Sequence, residues 1–111
     1  MRCTIELIGR LSAEPSFRAI SGGERQAFLT VETTERWRDR QSGEERTRST
    51  WHDVKVAKSG IVKAIERTLK QGDLVFVMGT IRYSDWTDRS DVRRRTAEIV
   101  IKAAEHQLIF L

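Results

Sequence analysis

Residues 49–86 read STWHDVKVAKSGIVKAIERTLKQGDLVFVMGTIRYSDW, and within them the pattern changes from strand to helix and back to strand. Ser49–Ala57 forms the first of these strands. A helix is expected over Gly60–Lys70, with Ser59 as its N-cap. Ile61, Val62, Ile65 and Leu69 make one apolar stripe, and Glu66 and Lys70 make an i,i+4 pair on the other side. Gly72 suits the left-handed position after the helix end. The strand that follows, Asp73–Trp86, places Val75, Val77, Gly79 and Ile81 on one face.

Upstream lie two more strands. The first covers Cys3–Leu11, with Ile5, Leu7, Gly9 and Leu11 facing one way until Pro15 interrupts. Ser21-Gly22-Gly23-Glu24 reads as a turn, and Arg25–Trp37 as a second strand with Ala27, Leu29, Val31 and Thr33 inward. Arg38–Arg46 is a polar hairpin loop. Downstream, Thr87–Arg94 is a loop, Arg95–Ala103 a fifth main strand, and Gln107–Leu111 a further strand or a segment crossing the end of a barrel. Three strands, one helix and two strands is the order of a five-stranded OB-fold barrel, all-β with the helix between strands 3 and 4. Closure into a barrel leaves few unpaired edges.

The chain has 111 residues, which suits one domain over residues 1–111. No apolar run approaches the ~20 residues of a membrane helix, so no membrane role is expected. Glu6 stands where an export signal would be apolar. The one cysteine, Cys3, has no internal disulfide partner, in keeping with a reducing cytoplasm. The net charge of +4 is concentrated. Arg36–Arg48 and Arg82–Arg95 each hold five arginines against three acids, so these two stretches account for the whole surplus.

Tryptophan accompanies both stretches. Trp37 lies in Glu35-Arg36-Trp37-Arg38-Asp39 and Trp86 in Ser84-Asp85-Trp86-Thr87-Asp88. Burying either ring would drag charged neighbours inward, so both are expected at the surface. Trp51, between Thr50 and His52, fits a core position as well as a surface one. An exposed indole beside guanidinium groups suits unpaired nucleic acid, because every base has a face to stack and duplex DNA hides those faces. Arg36, Arg38, Arg48, Lys55, Lys58, Arg82, Arg89, Arg93, Arg94 and Arg95 are the cations expected to track phosphates. On the outward side of the fourth strand, Leu74, Phe76 and Met78 are apolar where polar residues belong, which points to a subunit contact. Leu108–Leu111 folding over them is the other reading.

Several segments together resemble the bacterial single-stranded DNA-binding protein family. These are Leu7-Ile8-Gly9-Arg10-Leu11, then Pro15 and a Gly-Gly turn, Glu35-Arg36-Trp37-Arg38-Asp39, Thr50-Trp51-His52-Asp53-Val54, Gly72, Gly79, Trp86-Thr87-Asp88 and Thr96-Ala97-Glu98-Ile99-Val100. The resemblance implies an OB barrel that assembles as a homotetramer, or as a dimer. It implies Trp37, Trp51 and Trp86 in the path of single-stranded DNA, His52 near the dimer contact, and a cytoplasmic, nucleoid-associated role in replication, recombination or repair. Ala57-Lys58 stands where the family commonly has an aromatic followed by glycine, and Phe28, outward on the second strand, is a substitute platform. The chain reads as a short version without the family's acidic C-terminal tail.

Catalysis is not expected. Asp85, Asp88 and Asp91 balance arginine charge, and His52 and His106 have no partner at zinc spacing. There is no phosphate-binding glycine loop and no nucleophile elbow. Neither a metal, a cofactor nor a small-molecule substrate is implied. The alternative function is that of a tailless OB-fold accessory replication protein, similar to primosomal replication protein N, acting mainly through protein contacts.

Overall fold

The computed structural model describes residues Met1–Leu111. The elements are β1 (Ile5–Leu11), β2 (Ser16–Ala19), β3 (Arg25–Arg38), β4 (Glu45–Val56), α1 (Ser59–Thr68), β5 (Leu74–Thr87), β6 (Arg93–Ile101) and β7 (Gln107–Phe110). Around the barrel the order is β1-β3-β4-β6-β5, and β5 returns to pair with β1. All neighbours are antiparallel except β4 and β6, which run parallel because α1 and β5 intervene between them. Five main strands, one helix and this closure make an OB-fold. The short β2 widens the sheet beside β3, and β7 pairs with β5. No helix is long and apolar enough to cross a membrane.

The alternating residues fill the barrel as the pattern requires. Ala27, Leu29 and Val31 of β3, Val54 and Val56 of β4, Val75 and Val77 of β5, and Ile99 and Ile101 of β6 are buried in one cluster. Val62 and Ile65 of α1 join that cluster together with Leu69. Two glycines permit the closure. A methyl group at Gly9 would overlap the Glu32 carbonyl oxygen, and one at Gly79 would lie 2.5 Å from the Val100 carbonyl oxygen.

The helix ends differ from expectation. Lys58, not Ser59, occupies the N-cap, with no side-chain cap, and Ser59 is the first helical residue. The helix stops at Thr68, where Leu69 turns extended with its side chain in the core. Lys70 therefore lies outside it, and Glu66 pairs with Arg25 of β3. Gly72 has φ +93 but lies beyond the helix end, in a turn where Asp73 Oδ2 accepts the Lys70 N–H at 2.9 Å. The Gly72 N–H donates to the Leu11 carbonyl at 2.8 Å, tying this turn to β1.

Both hairpins are longer than expected. β3 and β4 hold one unbroken register from Ala27↔Val56 to Arg38↔Glu45, and β5 and β6 from Thr80↔Val100 to Thr87↔Arg93. The connecting segments shrink to 39–44 and 88–92. The outer ends of these ribbons are exposed on both faces, so no buried alternation marks them as strands. The tail does form a strand, but β7 lies beside β5, with Phe76 opposite Ile109. It extends the sheet beside β5, and Leu74, Phe76 and Met78 stay half-buried on the outward face.

Candidate nucleic-acid interface

Beyond the barrel rim, the ends of β3 and β4 have only each other, as do the ends of β5 and β6. Each pair is a two-stranded arm whose side chains alternate between two faces.

On the β3–β4 arm, Trp37 is 41 % exposed and lies directly opposite Arg46. Arg48, on the same face, sets its guanidinium 5.8 Å from the Trp37 ring centroid. Arg36 and Arg38 point to the other face, opposite Thr47 and Glu45. On the β5–β6 arm, Trp86 is 48 % exposed opposite Arg94, and Arg82 shares its face. Arg93 and Arg95 occupy the reverse face with Tyr83, which is 57 % exposed and has the Arg95 guanidinium 5.4 Å from its ring. Arg89 is exposed in the loop.

Trp51 is 60 % exposed, which resolves its two readings in favour of the surface. It points outward from β4 opposite Glu32, next along that face from Asp53. Asp53, with Phe28 and Thr30 of β3, lines a cleft of about 510 Å³ together with Ser84, Thr96 and Glu98. Trp86 follows Ser84 on its strand face, so Trp51 and Trp86 are each next along a strand face from a residue that lines this cleft. Trp37 is on the opposite face of its ribbon. Lys55 stands opposite Phe28, whose ring has the Arg18 guanidinium 5.2 Å from its centroid. Glu14, Asp53 and Glu98 line the cleft, so its floor is acidic and the arginines belong to the arms.

Lys58 is not part of this surface. Its ammonium donates to the His106 carbonyl at 3.3 Å, and His106 Nδ1 accepts the N–H groups of Lys102 and Ala103, fastening the turn before β7. His52, half-buried, pairs its Nε2 with the Thr33 hydroxyl at 2.9 Å and lines a small cavity with Ile5 and Trp51. It is therefore on a different surface from Leu74, Phe76 and Met78, which form the outward face of β5.

The hairpin tips are built alike. Asp39 Oδ1 accepts the Gln41 N–H at 2.8 Å and the Ser42 N–H at 3.4 Å, while Oδ2 accepts from Arg46 Nε at 3.2 Å. Asp88 Oδ1 accepts the Ser90 N–H at 2.9 Å and the Val92 N–H at 3.0 Å, while Oδ2 accepts from Arg94 Nε at 3.0 Å. These bonds favour the charged form. The backbone N–H groups of Gln41 and Ser42, then Arg46, hold the Asp39 carboxyl below its ordinary value. The Val92 N–H and then Arg94 do the same for Asp88. Asp85 accepts from Arg95 Nε at 3.1 Å, and Asp91 takes φ +66 in the turn. No group of three or more His, Cys, Asp or Glu side chains is placed to hold a metal ion.

Sequence reasoning missed Tyr83 and Arg46. Tyr83 lies in an arginine-rich run as Trp86 does, and Arg46, counted only as part of its cluster, is set apart by the register that places it opposite Trp37.

A model of the single-strand binding protein family matches residues 3–107. A single-stranded DNA-binding protein of Rickettsia felis is 32% identical over 105 residues, covering 95% of this chain and 69% of that protein. One from Rhizobium meliloti is 34% identical over 105 residues, covering 95% and 60%. The fold superposes with a TM-score of 0.92 on the SSB of Plasmodium falciparum in complex with ssDNA, at 32% identity, over 100% of this chain and 96% of that one.

Proposed function

The chain belongs to the single-strand binding protein family, and we propose that it binds single-stranded DNA without regard to sequence. Bases stack on Trp51 and Trp86 along the cleft and on Trp37 at the reverse face of its arm. Phosphates are met by Arg36, Arg38, Arg48, Arg82, Arg89, Arg93, Arg94, Arg95 and Lys55. The observation that carries this reading is the exposure of all three indoles, 41 %, 60 % and 48 %, on or beside arginine-bearing arms. An indole in water beside a cation is poorly used for stability and well suited to stacking, which contributes about 1–3 kcal/mol per base. Phe28 and Tyr83 supply further flat rings. The protein acts by binding, not by catalysis, and works alongside DNA in the cytoplasm during replication, recombination or repair.

It acts as a homo-oligomer, as a tetramer or a dimer. Ile8, Phe76 and Ile109 lie side by side across three strands, and Ile8 and Ile109 are 57 % and 46 % exposed. With Leu74 and Met78 they form an apolar strip that a second copy would cover. In addition, β1 meets β3 only at Arg10 and Leu11, leaving the rest of that edge unpaired. His52 borders the N-terminal end of β1 through Ile5.

Fluorescence anisotropy with a labelled oligo(dT), competed by unlabelled single strand or by duplex of equal length, tests the binding. Displacement by single strand with little displacement by duplex is expected. Equal competition by duplex would remove base stacking as the mode.

A further inference from the structure

The two arms share a device that neither stacking nor phosphate contact requires. Each carries Trp-x-Asp at the end of its outgoing strand, Trp37-Arg38-Asp39 and Trp86-Thr87-Asp88. In each, one carboxylate oxygen closes the turn by accepting two backbone N–H groups. The other oxygen accepts from the Nε of the arginine directly across the ladder from that tryptophan, Arg46 for Trp37 and Arg94 for Trp86. The arms pair with nothing beyond the barrel, so their tips lack packing to order them. Closing the turn and fastening the arginine with one charged group supplies that order locally.

We infer that Asp39 and Asp88 are positioning residues for single-strand binding: each fixes its hairpin tip and the arginine that faces the tryptophan across the ladder. This rests on the proposed single-strand binding. The charge of the two groups makes the inference sharp. A carboxylate near a polyanion weakens binding by repulsion, so if these aspartates were only negative charges, removing them would tighten binding. A positioning role has the opposite sign.

The test compares oligo(dT) affinity for Asp39→Ala/Asp88→Ala, for the conservative Asp39→Asn/Asp88→Asn, and for Glu45→Gln. Glu45→Gln removes one charge from the same hairpin without touching either clasp. The alanine pair should bind about five- to tenfold more weakly than the wild type, with less tryptophan quenching at saturation. Asparagine retains an oxygen for the turn amides and should recover part of the loss. Glu45→Gln should bind at least as tightly as the wild type. Thermal midpoints keep the comparison to folded protein. An alanine pair that binds as tightly as the wild type, or more tightly, overturns the inference. So does a loss confined to the thermal midpoint with quenching intact. A wild type that does not bind oligo(dT) would instead overturn the functional reading itself.

Discussion

Trp37, Trp51 and Trp86 owe their exposure to different causes. Trp51 sits on the outward face of β4, opposite Glu32, so alternation turns it to solvent. Trp86 is in step with the outward Phe76 and Met78 of β5, whereas Trp37 is in step with the buried Leu29 and Val31 and is exposed because its ribbon has left the barrel. Charged neighbours marked Trp37 and Trp86 in the sequence. Trp51 was ambiguous because Thr50 and His52 constrain it no further, and the pairing with β3 decided it. Trp37→Ala and Trp86→Ala should each weaken oligo(dT) binding by about 1–3 kcal/mol while leaving the thermal midpoint nearly unchanged. Isothermal titration alongside thermal melts checks both halves of that statement, and unchanged affinity would remove the stacking assignment. Tyr83→Ala tests the ring the sequence reading missed, and a smaller loss in the same direction is expected. Asp39 and Asp88 carry a pH prediction. Their carboxyls are held below the ordinary aspartate value of 3.8, so their contribution to tip order is complete above that value. It is lost only as pH falls through the lowered values. Amide resonances of Ser42, Ser90 and Val92 should therefore titrate below the ordinary aspartate range, and titration at or above it would contradict the clasp.

The barrel strands were readable because each has one dry face. Val75, Val77 and Gly79 on β5, or Ala27, Leu29 and Val31 on β3, repeat every second residue and all point inward. The arms have no dry face, so their ladder is invisible to that reading and emerges from hydrogen bonding and turn chemistry. The helix boundaries shifted for a comparable reason. Ser59 has the chemistry of a cap, but Lys58 takes the cap position while its ammonium reaches the His106 carbonyl. Leu69 is extended at the helix end and is still buried in the core. Glycine at the closure is a prediction of the same scale. Gly79→Ala should lower stability by about 1–3 kcal/mol, since the added methyl meets the Val100 carbonyl, a backbone atom that cannot swing aside. Chemical denaturation checks this, and a variant as stable as the wild type would show that the closure has slack.

Across the whole molecule, charge and apolar surface are divided among separate regions. The arginines lie on the arms, the cleft floor is acidic, and the apolar strip of Ile8, Phe76 and Ile109 lies on the outward face of the sheet formed by β1, β5 and β7. The sequence disclosed the arginine clusters and the trio Leu74, Phe76 and Met78, because both are local in the chain. It could not disclose the acidic floor, which draws Glu14, Asp53 and Glu98 from three distant segments. Phe76→Asp should convert the oligomer to monomers in light scattering at micromolar concentration, and an unchanged mass would place the contact elsewhere. Binding should weaken with salt by about −0.7 in log K per log unit for each phosphate neutralised, with several contributing. A flat response would argue that the arms do not meet the backbone. The central claim is that unpaired bases stack on indoles already open to solvent. Titrating the protein with poly(dT) while following its intrinsic tryptophan fluorescence tests it most directly. Strong, saturable quenching that reverses with salt is the predicted result, and emission unchanged through saturation would contradict it.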